Sequence, residues 1–189
     1  MFTHLHTHTE FSLLDGMSRI PALLERTQEI GMEALAMTDH GALYGAIDFY
    51  REANARNIKP IIGVESYVAR SSRKTRDSNE QPFHLVLLAC NKTGYRNLIQ
   101  LVTLANLEGF YYKPRVDREL LALHSEGLIV FSGCPSGEIP SLITNQNIEE
   151  AHKTATWYKN VFEDYYLEIM HHGGVPGLDS INKNLIEMG

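Results

Sequence analysis

The chain opens Met1-Phe2-Thr3-His4-Leu5-His6-Thr7-His8-Thr9, setting three imidazoles two residues apart. Side chains alternate along an extended strand, so His4, His6 and His8 would project to one side of it. Imidazole is the commonest nitrogen ligand of transition metals, and three on one face are hard to explain as packing, which leads to a metal centre. The alternative is a tag remnant or a surface strand, but tags are contiguous, and further donors recur beside later apolar runs. Asp39-His40-Gly41 follows Leu35-Ala36-Met37, Glu65 sits within Ile61 to Val68, His84 begins the run to Leu88, and Cys134 follows Ile129 to Phe131. Nitrogen, carboxylate and thiolate donors together suit Zn²⁺, Mn²⁺ or Fe²⁺ better than Mg²⁺ or Ca²⁺, which favour oxygen-only shells.

The elements that must position these donors alternate between strand and helix patterns. Strands are expected over Phe2 to His8, Glu33 to Met37, Lys59 to Ala69, Phe83 to Cys90, Gly127 to Ser132 and Tyr165 to Met170. Helices are expected from Ser18 to Gly31, where Ile20, Leu23, Leu24, Thr27 and Ile30 share a face, and over Leu43 to Arg56, Thr93 to Glu108, Ile148 to Phe162 and Ile181 to Met188. Strands mostly followed by helices imply parallel pairing through right-handed crossovers, hence an α/β doubly wound sheet or a (β/α) barrel. In a barrel, polar residues at the ends of different strands converge on one mouth.

Composition narrows the function. A chain of 189 residues with 43% hydrophobic content suits one domain with a sizeable core. A formal net charge of −6 argues against a broad cationic face for gripping nucleic acid, so any such contact must be local or supplied by a partner. The first twenty residues carry three histidines, Glu10, Asp15 and Arg19, unlike a signal peptide or membrane span, so a soluble cytoplasmic protein is expected. Cys90 and Cys134 are expected as reduced thiols, Cys90 in the core. Arg70, Arg73, Lys74 and Arg76 cluster in a polar segment that reads as a solvated loop, or as a guide for a single strand. Tyr111-Tyr112-Lys113-Pro114-Arg115 could stack bases or form a rigid packing element. His124 and His152 read as solvated, Trp157 as packing, and Glu168 and His171-His172 as following a strand and able to reach a cleft mouth.

His6-Thr7-His8-Thr9, Thr38-Asp39-His40-Gly41, Gly63-Val64-Glu65 and the strand His84 to Leu88 resemble, in order, the motifs of the polymerase and histidinol phosphatase (PHP) metallophosphoesterase family. More narrowly, Phe11 to Gly16, Gly109 to Asp117, Ser132-Gly133-Cys134 and Tyr166 to Met170 resemble the N-terminal PHP domain of bacterial replicative DNA polymerase III alpha subunits, a similarity running over residues 1–189. The resemblance implies a distorted (β/α)7 TIM-like barrel whose cleft holds up to three divalent ions. Carried over by position, His6 and His8 would bind one ion with Glu65, Asp15 and His40 a second, and Glu65, His84 and Cys134 a third. His4 and Asp39 would stand behind these ligands. The implied chemistry is metal-assisted phosphoester hydrolysis, either 3′→5′ exonuclease proofreading or pyrophosphate hydrolysis, with His6, His8 and Glu65 acting through their ions. The implied partners are the 3′ end of DNA, other polymerase domains and a separate proofreading exonuclease subunit. Two other readings stand beside it: a metal-braced structural module that docks those partners, and a free-standing small-molecule phosphatase. The family's final Asp-x-His pair occurs nowhere in these residues, so the expectation is a barrel truncated before its last strand, in an N-terminal piece of a longer chain.

Overall fold

The computed structural model describes residues 2–13 and 15–189; Met1 and Leu14 lie outside the described residues. The chain runs α1 (Ile20–Glu29), β1 (Ala34–Met37), α2 (Ala46–Ala55), β2 (Lys59–Val68), β3 (Phe83–Ala89), α3 (Lys92–Leu107), β4 (Arg115–Val116), α4 (Arg118–Leu123), β5 (Leu128–Phe131), α5 (Glu138–Thr144), α6 (Ile148–Val161), β6 (Asp164–Tyr166) and α7 (Leu178–Met188). Local chemistry sets several boundaries. Asn91 caps α3 by accepting from Gly94 N, and Asp117 caps α4 by accepting from Leu120 N. Helix α1 begins after Arg19 rather than Ser18 and buries Ile20, Leu24 and Thr27, while Ile30 falls outside it and is exposed.

The sheet order is β1-β2-β3-β5-β6, with β4 pairing β2. Its centre is the long strand β2, whose β-branched Ile61, Ile62, Val64 and Val68 fit a covered, pleated surface. The Lys59 to Ile62 half pairs parallel with β1, and the Gly63 to Val68 half pairs antiparallel with β3. Strand directions are therefore mixed, correcting the expectation of uniformly parallel pairing. The β2-to-β3 connection contains no helix, so the chain turns back beside itself; β3 then pairs antiparallel with β5, while among the described strands β1-β2, β2-β4 and β5-β6 pair parallel.

A second correction concerns residues 2–8. They lie along β1 through Ala36 N donating to His4 O and Thr38 N to Thr7 O, but form no regular strand. Two residues of β1 are spanned against three of the N-terminal segment, with a bend at His6, which is the count of a bulge and breaks the alternation.

Two larger apolar clusters support the sheet. One gathers Val64, Leu85, Leu87 and Val130 with Leu98 and Leu101 of α3, Ile139 of α5, Ala151 and Tyr158 of α6 and Ile181 and Leu185 of α7; the other packs α1 and α2 on β1 through Leu24, Leu35, Met37 and Phe49. Trp157 packs against the first, Ala155 and Val161 are only partly buried there, and Cys90 is exposed rather than in the core because β3 ends at Ala89.

The basic segment 70–81 is also anchored rather than freely solvated. The Arg73 guanidinium is buried, 3.0 Å from Asp117 and within 2.8 Å of Glu108 and Glu119, and Arg115 is buried with its guanidinium donating to Gly109 O, Arg73 O and Thr75 O. Arg76 donates to Phe110 O, and Arg70 covers the Phe83 ring and donates to Gln81 O. Arg73 and Arg115 are thus committed to the fold, while Arg70, Lys74 and Arg76 remain exposed on the segment's surface.

Candidate metal centre

Backbone pairing brings distant donors into one place. Glu65 N donates to Asp39 O and Gly41 N to Glu65 O, an extension of the β1-β2 ladder that sets His40 beside Glu65. Gly41 has φ +60°, and a Cβ there would lie 2.8 Å from Pro114 Cγ, so glycine satisfies both the left-handed turn and the close approach. His84 faces Tyr67 across the β2-β3 pair, and Gly133, at φ +82°, turns the chain against His84 O to deliver Cys134. Asp39, fully buried, accepts from Thr9 N at 2.6 Å and Thr9 Oγ1 at 2.7 Å and so holds the His8-Thr9 backbone. Ser12 Oγ donates to Asp15 and accepts from His40 N, joining the Ser12–Asp15 turn to the Asp39-His40-Gly41 motif.

The centre of the arrangement is Glu65, 1% exposed. Its Oε2 lies 2.7 Å from His8 Nε2, 3.1 Å from His6 Nε2 and 3.4 Å from His40 Nδ1, and its Oε1 lies 2.9 Å from His84 Nδ1. Asp15 Oδ2 reaches His40 Nε2 at 2.8 Å and His8 Nδ1 at 3.4 Å. Three triads result, each with ligand atoms within 4.8 Å of one another: His6-His8-Glu65, His8-Asp15-His40 and His40-Glu65-His84. Cys134 Sγ meets His84 Nδ1 at 3.4 Å and lines the same cavity of about 270 Å³.

Of the nine residues singled out in the sequence, Asp15 and the cavity-lining His6, His8, His40, Glu65, His84 and Cys134 come together, and Asp39 stands behind them. His4 does not join them. It is exposed, packs edge-on against Phe2 and lines a different cavity, because the bulge intervenes between it and His8. Glu168 is a stronger participant than its sequence context indicated: its Oε1 lies 2.8 Å from His6 Nδ1, and its backbone N donates to Ser132 Oγ. The available signal was its place within the Tyr166 to Met170 motif, since β6 ends at Tyr166 and leaves Glu168 just beyond it. His171 and His172 are exposed.

Electrostatics match a site prepared for cations. Burial alone would raise the Glu65 carboxyl, yet hydrogen bonds from His6, His8 and His84 hold it well below the usual carboxylate range. Burial would lower the His6 imidazole, but bonds to Glu168 and Glu65 outweigh it and push it up to about 10. Burial, reinforced by the Glu65 charge, pushes the Cys134 thiol up to about 12. Burial lowers the His40 imidazole, whose Nδ1 is buried without a hydrogen-bond partner. An orphaned imidazole lone pair and four imidazoles crowded on one carboxylate are the pattern expected where divalent cations, rather than protons, satisfy the donors. The donor set therefore fits divalent metal ions.

Comparison with known proteins agrees with this geometry. The family model described as "PHP domain" matches residues 4–172. The DNA polymerase III subunit alpha of Borreliella burgdorferi is 45% identical over 190 residues, covering 98% of this chain and 16% of that protein. Its counterpart from Thermus aquaticus is 47% identical over 193 residues, with 98% and 16% covered. The chain thus spans about a sixth of the length of these curated relatives. Among solved structures, a putative metal-dependent phosphoesterase from Bifidobacterium adolescentis superposes with a TM-score of 0.57 at 12% identity, over 98% of this chain and 84% of that one, a likeness of fold. With the mixed α/β sheet, the barrel-like gathering of donors and a family model that spans most of the sequence all in agreement, this chain belongs to the PHP domain family.

Proposed function

We propose that this domain is a metal-dependent phosphoester hydrolase within a bacterial DNA polymerase III alpha subunit, removing nucleotides from a 3′ DNA end, with pyrophosphate as an alternative substrate. The observation that carries the reading is the sharing of Glu65 between two of three donor triads around one cavity. In this reading His6, His8 and Glu65 hold one ion, His8, Asp15 and His40 a second, and Glu65, His84 and Cys134, with His40, a third. The mixed nitrogen, oxygen and sulfur donors favour Zn²⁺, Mn²⁺ or Fe²⁺. Ions held by these residues would supply Lewis acidity, activating water as a nucleophile near neutral pH and offsetting charge on phosphoryl oxygens. The chain's own contribution is placement: Glu168 orients His6, Asp39 holds the His8 backbone, and Glu65 draws donors from the N-terminal segment, the turn after β1 and strand β3 onto one point.

The test uses the full-length polymerase with a 3′-mismatched primer, comparing wild type with His8→Ala and Glu65→Ala for mononucleotide release, metal content and primer extension. Loss of release with extension intact supports hydrolysis. Unchanged release overturns it.

A second reading, in which the ions brace a docking module for other polymerase domains or a proofreading subunit, is favoured by one observation. Phe2, Leu5, Tyr166 and Ile169 leave apolar surface exposed around a cavity of about 560 Å³ between the N-terminal segment and the residues after β6. Among the described residues no helix is long and apolar enough to cross a membrane. A replication role would place the protein in the bacterial cytoplasm.

A further inference from the structure

A second, smaller cavity of about 260 Å³ adjoins the donor cluster, sharing His40 and His84 with it and lined further by Asp15, Tyr67 and Lys113. Its floor is Tyr67, buried, stacked on His40 at 5.3 Å between ring centroids and 12° between planes, and edge-on to His84 at 5.3 Å. Lys113 Nζ lies 3.3 Å from the Tyr67 hydroxyl and 4.9 Å from its ring centroid. Among the described residues Lys113 has no carboxylate partner within ion-pair distance, whereas Arg73 and Arg118 pair with carboxylates and Arg115 is spent on backbone carbonyls. An unpaired, half-buried ammonium at the rim of an acidic cluster is a ready donor to an anion.

The backbone is shaped to hold it there. Tyr112 has φ +58°, uncommon for a bulky residue, and Tyr111 N donates to Lys113 O across it, a tight turn that sends Lys113 back toward Tyr67. The close fit of Pro114 on Gly41 then fixes Lys113 next to the His40 loop, and buried Arg115 anchors the following strand. Strain of this kind persists only where surrounding structure enforces it. Tyr67 accepts from Lys113, which leaves its O–H free to donate into the cavity.

We propose that Lys113 and the Tyr67 hydroxyl form a phosphate clamp beside the metal centre, gripping a non-bridging oxygen of the substrate's phosphate. The inference rests on reading the neighbouring cluster as a phosphoester site and names the group that site must recognise. A cavity of about 260 Å³ continuous with the donor cluster has room for a phosphate held next to the ions.

The probe is inorganic phosphate, titrated by isothermal calorimetry into the full-length protein, wild type and Lys113→Met, Lys113→Arg and Tyr67→Phe, each loaded with Mn²⁺ and each metal-free. Manganese stoichiometry is measured on the same samples. The expected result is unchanged manganese stoichiometry, phosphate affinity about tenfold weaker in Lys113→Met, a few-fold weaker in Tyr67→Phe, and largely kept in Lys113→Arg. Phosphate affinity within twofold of wild type in Lys113→Met, or no phosphate binding by the loaded wild type, overturns the clamp. Absence of manganese from wild type overturns the metal centre instead. The metal-free titrations then decide the clamp alone, Lys113-dependent phosphate binding supporting it and its absence refuting it.

Discussion

At the scale of single residues, Glu65 carries the account. One buried carboxylate faces four imidazoles, so its neutral isostere should empty the centre. Glu65→Gln is expected to lose most bound metal by elemental analysis while circular dichroism retains the native helix content. Glu168 acts one step further out, on the far nitrogen of His6, and partners of that kind typically govern 10–100-fold in metal affinity. Glu168→Gln, which can still accept the His6 hydrogen bond but lacks the charge, should weaken metal binding less than Glu168→Ala in a chelator competition titration. Asp39 should matter to stability instead. Asp39→Ala strands the buried Thr9 N–H and hydroxyl, a loss of about 1–3 kcal/mol measurable by urea unfolding. The donors that gather around Glu65 were legible in the sequence because they recur beside apolar runs and in motif order. The place of Glu168 was not, because its role depends on β6 lying next to the N-terminal segment, a contact across 162 positions. His4 misled for the opposite reason: spacing of two implies a shared face only where the strand is regular, and the bulge removes that condition.

At the scale of elements, helix spacing and strand composition located most of the framework, but direction of pairing did not follow. A polar segment of about a dozen residues between β2 and β3 reads the same whether it returns the chain antiparallel or leads to a crossover. The short β4, α4 and α5 gave too little periodicity to register, and Asp117, which caps α4, was not singled out as a cap. That aspartate joins two elements, capping α4 and pairing with buried Arg73 from the 70–81 segment. Asp117→Ala removes the cap and leaves a guanidinium only partly compensated by Glu108 and Glu119. It should cost about 3 kcal/mol, the lower end for breaking a buried pair, with the midpoint of urea unfolding shifted accordingly. Because the same segment anchors Arg115, loss of local protection near Arg73 in hydrogen exchange should extend to Arg115 and Val116.

For the molecule as a whole, α6 and β6 close the main core around the stacked rings of Tyr158 and Tyr165, 5.2 Å apart. Burial raises both phenols above their ordinary value, and the Tyr165 hydroxyl is buried without a partner. A folded-state pKa above the unfolded one favours the protonated form in the native state. Stability from these groups is therefore fully present below about pH 10 and is lost progressively as pH rises above it. Thermal unfolding should show a falling midpoint in that alkaline range, and Tyr165→Phe should lessen the fall. The same substitution removes an unsatisfied hydroxyl and is expected to leave neutral-pH stability unchanged or raised by about 1 kcal/mol.

The functional reading, unlike the stability expectations, depends on divalent cations occupying the cavity around Glu65. Anomalous diffraction from crystals grown with Mn²⁺ tests that directly. Peaks among His6, His8, Asp15, His40, Glu65 and His84, lost in Glu65→Gln, are the predicted result. Ordered density for these side chains with no anomalous peak between them, at saturating Mn²⁺, would contradict the account.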